Sequence, residues 1–319
     1  MQLDTLPYND YGGVMRHRLG GRVQKLAIDA HLGCPHRNAT LQTGGCSFCL
    51  GEAFSPSYCQ TQHSITEQIN AAIEFHTSRR RHADKYLAYF QAGTNTFAPV
   101  ERLQSLYTEA LSHPNITGII VGTRPDCISS EILDLLEYIS HNNYVAVEYG
   151  IETTSDSILQ HVNRGHNFAT AIDAVHKTKS RGIDVGAHLI LGLPHQRHEQ
   201  IMEDIAAINT LGIDFVKFHQ LQIYRNTPIA EEWRNHPERF LFAGEFNVDD
   251  YVDLMCNIIR QLSPSIAIER FASQAPPHHI LCSPLRGIRI DMLKSKIVAR
   301  LQQLNATQGD LLKLLSRNK

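Results

Sequence analysis

The chain has 319 residues, 42% of them hydrophobic and 19% charged, and no apolar run approaches the roughly 20 residues that a membrane-spanning helix needs. Its 30 Lys+Arg against 32 Asp+Glu leave a net charge of −2, which excludes the global electropositive footprint of a nucleic-acid binder but not local patches. The N-terminus has neither the basic start nor the apolar stretch of a secretory leader, so the expected compartment is the cytoplasm, with no membrane partner.

Short apolar, β-branched runs alternate with longer amphipathic stretches, the pattern of repeated βα units around a parallel sheet. In chain order, strands are expected at 24–31, 86–91, 118–122, 144–150, 184–191 and 215–223. The first helix begins at Ser64, which forms a capping-box pattern with Glu67 and precedes Ile65, Ile69, Ala72 and Ile73. A basic stretch, His76 to Lys85 with Arg79-Arg80-Arg81, follows it and suits a solvated helix end or a phosphate backbone. The next helical stripe is Leu103, Leu106, Tyr107 and Ala110. Helices at 131–141 (capped by Ser129 or Ser130), 169–181 and 198–211 complete the repeats, and Gly182 and Gly212 mark the ends of the last two.

Beyond residue 224 the rhythm changes. A helix carrying the only tryptophan, Trp233, a helix at 249–262, a further alternating strand at 265–273, the breaker Pro276-Pro277 and a helix at 291–304 are expected. The chain therefore divides into an N-terminal segment (1–23), a βα domain (24–224) and a C-terminal, α-rich extension (225–319).

Seven cysteines in a reducing compartment make a disulfide framework a poor reading, and three of them cluster: Cys34, Cys46 and Cys49, directly after the first strand. Cys46-x-x-Cys49 lets one tight turn offer two thiolates, with Cys34 looping back to them. Closing the longer loop costs about 1 kcal/mol more than closing a short one, far less than metal ligation returns. Spacing alone leaves three readings: structural zinc with His36 or His31 as fourth ligand, an iron–sulfur cluster with one iron open to substrate, and unligated thiols.

Several further motifs occur in order. They are Phe48 just before the last cysteine; Tyr89-Phe-Gln91-Ala-Gly-Thr94-Asn95-Thr96 after the second strand; Glu148-Tyr-Gly150-Ile-Glu152-Thr153 on the fourth; and Asn163-Arg164-Gly165-His166 beyond it. His188-Leu-Ile-Leu-Gly192-Leu-Pro194 follows on the fifth strand, Lys217-Phe-His219-Gln-Leu221 on the sixth, and Thr307-Gln308-Gly309 in the tail. With the long first cysteine gap, this order resembles the radical S-adenosylmethionine (SAM) superfamily, in its YhcC-type branch, which is similar to the radical domain of the elongator tRNA-modifying proteins.

The resemblance implies a partial (β/α)6 TIM-like barrel of parallel strands and a [4Fe-4S] cluster held by Cys34, Cys46 and Cys49. Such a cluster binds SAM and, fed by a low-potential donor such as flavodoxin or ferredoxin, cleaves it to a 5′-deoxyadenosyl radical that abstracts hydrogen from substrate. It further implies that Phe48, Thr94, Asn95 and Thr96 lie at the SAM site, Glu148 (with Glu152 as rival) at its ribose, Arg164 at its carboxylate, and Gly192 and Pro194 against its adenine. Lys217 and His219 share one face of the sixth strand. Barrel parity turns that face inward, where a charge is costly unless it serves substrate, so both are read as catalytic. His188 has the same parity, with a hydrogen-bonded core histidine as the commoner outcome, and Cys127 reads as a small buried hydrophobe, with a radical partner as the competing reading. The elongator branch points to tRNA, at a wobble uridine, as substrate. A zinc-stabilised binding module is the alternative function. The tail His278-His279-Ile-Leu-Cys282 reads as a loop closing the barrel's open side, with a second metal site as the competing reading. Composition carries no signal of oligomeric state.

Overall fold

Each β-branched run becomes a strand, and each amphipathic stretch a helix that packs back on the sheet. The computed structural model describes residues 6–37, 44–51, 56, 58–59, 63–285 and 287–312. Strands β1 (Val23–Ile28), β2 (Lys85–Phe90), β3 (Ile116–Thr123), β4 (Tyr144–Glu152), β5 (Asp184–Leu191) and β6 (Phe215–Gln220) lie side by side in chain order. All these neighbours pair in parallel, which requires a crossover between each pair.

The crossovers are made by α2 (Ile65–Ser78), α3 (Val100–Leu111), α4 (Ser130–Ser140), α5 (Asp156–His161) with α6 (Phe168–Lys179), and α7 (His198–Thr210). Sequence periodicity placed their buried faces: α3 buries Leu103, Leu106, Tyr107 and Ala110. The capping box of α2 is formed, with Ser64 accepting from the Glu67 amide and Glu67 from the Ser64 amide. Ser129, not Ser130, caps α4 by accepting from the Ile132 amide.

Two departures concern the last part of the sheet. The expected strand at 215–223 splits at Leu221-Gln222 into β6 and a short β7 (Ile223–Tyr224). β7 pairs antiparallel with β9 (Ile280–Cys282) in a separate two-stranded sheet. The tail around His279 is thereby tied by backbone pairing to the segment that follows β6, the Arg225 amide donating to His279 O at 2.8 Å. The alternating segment at 265–273 contains β8 (Ala267–Arg270), which adds in parallel to β6 as a seventh strand. The half-barrel thus has one strand more than six βα repeats supply, because the segment returns beside an edge whose backbone groups would otherwise be unpaired. Helices α8 (Pro228–Asn235), α9 (Val248–Gln261) and α10 (Ile290–Gln303) complete the C-terminal part.

Two apolar cores result. The larger lies between the sheet and its outer helices. The smaller fills the inside of the half-barrel near the strand N-termini, where Leu87, Tyr89, Tyr144, Phe215 and Ala267 meet Tyr11 and Met15. These two come from α1 (Tyr11–Leu19), a helix that sequence periodicity did not reveal. It plugs the barrel floor with only two buried residues, so its apolar stripe is too narrow to stand out. Gln308 locks this arrangement: its amide nitrogen donates to the carbonyls of Ser263 (2.7 Å) and Ile266 (2.8 Å), and its oxygen accepts from the Asn9 amide (2.8 Å). With the floor closed, the opposite end, at the strand C-termini, is left as the mouth.

Candidate active site

The cysteine loop leaves β1 at the mouth, the end at which barrels carry their chemistry. Gln68 of α2 anchors its start by exchanging hydrogen bonds with the backbone of Asp29, both 2.9 Å. The Cys34 carbonyl accepts from the Arg37 amide (3.0 Å), and the Cys46 carbonyl from the Cys49 amide (3.1 Å), closing the Cys-x-x-Cys turn. Within the second turn, Ser47 is gripped from two sides. Its amide donates to Val162 O (2.9 Å), just after α5, and its carbonyl accepts from the Ile229 amide (3.2 Å) in α8. The Asn163 side chain donates to Gly45 O at 2.8 Å, and its own carbonyl lies 2.6 Å from His36 Nε2.

The β2 motif meets the loop at Gly93. Its φ is +76°, and a Cβ there would lie 2.5 Å from Gly33 O, so only glycine permits this approach. The next amide, Thr94, donates to the same carbonyl at 2.8 Å.

Cys34, Cys46 and Cys49 line a cavity of about 500 Å³ together with Phe48, Thr94, Arg124, Glu148, Arg164, His188 and His219. The electrostatics around the sulfurs are cationic. Arg164 Nη1 is 3.6 Å from Cys46 Sγ, its Nη2 donates to Gly150 O at 2.6 Å, and it lies 3.4 Å from Glu152 Oε1. Arg124 forms a fork with Asp126 (2.9 Å for both bonds) and donates to the Arg164 carbonyl at 2.9 Å. Arg37 donates to the Cys49 carbonyl. Burial pushes the Cys49 thiol up to about 11; Arg37 opposes this, while the neighbouring Cys46 and Cys34 add to it. Thiols that ligate a metal centre do so by losing their protons to it.

Below the cysteines, Glu148 is fully buried at the centre of an ion cluster. Its Oε1 takes Lys25 Nζ at 2.7 Å, and its Oε2 takes Lys217 Nζ at 2.5 Å and His188 Nε2 at 2.8 Å. Glu269 of β8 closes the cluster, 2.5 Å from Lys25 and 3.2 Å from Lys217. Burial alone would raise the Glu148 carboxyl; Lys217, Lys25 and His188 together outweigh it and hold it well below the usual range. His188 stacks on His219, their ring centroids 5.4 Å apart, and burial holds the His219 imidazole well below its ordinary pKa.

The residues expected from sequence are thus partly brought together. Thr94 faces the cavity. Asn95 is buried, donating to Phe90 O (3.0 Å) and Gly122 O (2.9 Å), and Thr96 lies 2.5 Å from both Thr123 Oγ1 and Cys127 O. His219 lines the cavity, whereas Lys217, 2% exposed, does not. Gly192 and Pro194 lie outside the lining. The space a Gly192 Cβ would fill holds the Phe242 ring, 2.3 Å away. Sequence reasoning missed Arg37, Arg124 and Lys25. Arg124 had one signal, its place directly after the third strand; Lys25 had none, since its ion-pair partners Glu148 and Glu269 lie far along the chain.

The half-barrel, its closed floor and three cysteines at the strand C-termini define a class. The chain belongs to the radical SAM superfamily: the family model described as Radical SAM superfamily matches residues 32–208, and that of the Radical_SAM C-terminal domain matches 213–303. Within it the similarity is to YhcC-type proteins. Protein YhcC of Escherichia coli (strain K12) is 37% identical over 279 residues, covering 86% of each chain. The uncharacterized protein MJ0486 of Methanocaldococcus jannaschii is 30% identical over 308 residues, covering 95% of this chain and 91% of that one. Among solved structures, the archaeal Methanocaldococcus infernus Elp3 with an N-terminal deletion superposes with a TM-score of 0.65 at 17% identity. It covers 90% of this chain, which spans 64% of that one.

Proposed function

We propose that Cys34, Cys46 and Cys49 hold a [4Fe-4S] cluster and that the cavity binds SAM beside it, making the chain a radical enzyme that abstracts hydrogen from its substrate. The observation that carries this reading is a pair of buried guanidinium N–H groups without a partner, Nε of Arg164 and Nη1 of Arg124, on two arginines lining the cysteine cavity. Uncompensated buried donors of this kind fit a carboxylate ligand. Held by Cys34, Cys46 and Cys49, such a cluster would supply one-electron reduction of SAM, drawing on a low-potential donor such as flavodoxin or ferredoxin.

The chain's own residues then have separable tasks. Arg164 and Arg124 orient the carboxylate end, while Phe48 and Thr94 bound the cavity. Asn95 and Thr96 hold the β2 loop through the hydrogen bonds described above. His219 faces the substrate side, and Lys217 acts as a positioning residue through Glu148 and His188. The zinc-module alternative fits less well. Among the described residues, the three sulfurs are not a set within 4.8 Å of one another. A tetrahedron with Zn–S bonds of 2.3 Å would bring sulfurs to about 3.8 Å.

As substrate we propose tRNA, at a wobble uridine. A second, basic cavity of about 520 Å³ is lined by Arg81, Arg270, Arg289 and Lys294. Arg289 and Lys294 are already paired with Asp291 and Asp10, so Arg81 and Arg270 are the groups that would meet phosphate. A Methanocaldococcus jannaschii protein named tRNA uridine(34) acetyltransferase is also 28% identical over 121 residues, 37% of this chain and 22% of that one.

The test is anaerobic reconstitution with iron and sulfide, followed by SAM and dithionite, with 5′-deoxyadenosine read by mass spectrometry beside Cys46→Ala. Formation by the wild type alone supports the reading; a colourless, zinc-loaded protein forming none refutes it. Adding tRNA and digesting it to nucleosides then tests the substrate, with an altered uridine expected.

A further inference from the structure

We propose that His161, His195 and Glu232 form a divalent transition-metal site of the zinc type on the barrel rim, separate from the cysteine loop. The three residues come from different segments: the last residue of α5, the loop between β5 and α7, and α8. Their ligand atoms nevertheless all lie within 4.8 Å of one another, the one set of three or more such side chains found among the described residues. His161 Nε2 faces both Glu232 oxygens, at 2.8 and 3.0 Å, and the His195 ring stands edge-on to that of His161 with centroids 4.9 Å apart. The His195 backbone is pinned by its amide, which donates to Arg239 O at 2.8 Å.

Two imidazoles and one carboxylate are a donor set for zinc, with water in the fourth position, whereas magnesium and calcium favour oxygen ligands. Ligand atoms about 2.0–2.1 Å from a tetrahedral ion stand roughly 3.3 Å apart, so the present His161–Glu232 spacing need open only by a few tenths of an ångström. Arg239 Nη1 sits 3.1 Å from Glu232 Oε1, leaving Oε2 as the oxygen that meets the ion.

The site has a structural consequence. The Ser47 amide donates to Val162, which follows His161, and the Ser47 carbonyl accepts from Ile229, one helical turn before Glu232. An ion joining α5 to α8 would clasp the two elements that grip the cysteine loop.

The experiment is a zinc titration of the iron-reconstituted full-length protein, with absorption spectra at the zinc edge. Expected are one zinc per chain, a first shell of nitrogen and oxygen at about 2.0–2.1 Å with imidazole scattering, and binding weakened at least about tenfold in His161→Ala, His195→Ala and Glu232→Gln. A sulfur shell near 2.3 Å, affinity unchanged in the variants, or no zinc bound would each overturn the proposal. Should a histidine variant fail to fold, the wild-type spectrum and Glu232→Gln still decide. Iron content of the same samples reads the cysteine site independently, so failure of the rim site is distinguishable from failure of the cluster.

Discussion

Replacing Lys217 by methionine tests why a charged residue sits on the sixth strand. Lys217 Nζ is 2.5 Å from Glu148 and 3.2 Å from Glu269, and its side chain is 2% exposed. Lys25, Lys217, Glu148 and Glu269 sum to zero charge, so Lys217→Met leaves one buried negative charge in excess. Removing one partner of a buried pair costs about 3–5 kcal/mol, and methionine keeps most of the volume, so little of that loss comes from a cavity. The double variant Glu148→Gln/Lys217→Met keeps the neutral Lys25–Glu269 pair, which stands at 2.5 Å. It should therefore cost less than the sum of the single variants, by about 0.5–3 kcal/mol. Urea unfolding of the cluster-free protein under reducing conditions, followed by far-ultraviolet circular dichroism, measures all four corners of the cycle. A single variant within about 0.5 kcal/mol of wild type, or strict additivity, would refute the reasoning.

Gly93→Ala would drive a Cβ to 2.5 Å from Gly33 O at a φ of +76°; iron retained after reconstitution should fall sharply while far-ultraviolet circular dichroism is kept. His166 is held down to about 4 by burial and by Arg164, and its Nε2 is buried without a partner. It stays neutral in the folded state while the unfolded chain takes up a proton below about pH 6.5. This residue therefore withdraws stability as pH falls from 6.5 towards 4, at up to about 1.4 kcal/mol per pH unit, and urea midpoints of His166→Gln should lose that part of the slope. Ser64→Ala removes the cap of α2 and should cost about 0.5–2 kcal/mol by the same assay; no change would mean that tertiary packing alone holds this end.

The strands were legible because each is a local apolar run set off by turn chemistry: 184–191 coincides with β5, Asp184–Leu191. Helix faces and the Ser64 cap were legible for the same reason, since each depends on residues within a few positions. The three clustered cysteines stood out by their spacing, and in the fold they line one cavity; the order of the motifs pointed to the superfamily. Tertiary structure decided what depends on distant partners. Only the folded chain brings Lys25, Glu148, Lys217 and Glu269 together, returns β8 to the edge of β6, sets α1 into the floor and gathers His161, His195 and Glu232 on the rim. Local periodicity reports which face of an element is buried; it carries no information about which remote side chain will be buried against it, and in this protein that pairing builds the charge cluster beneath the mouth.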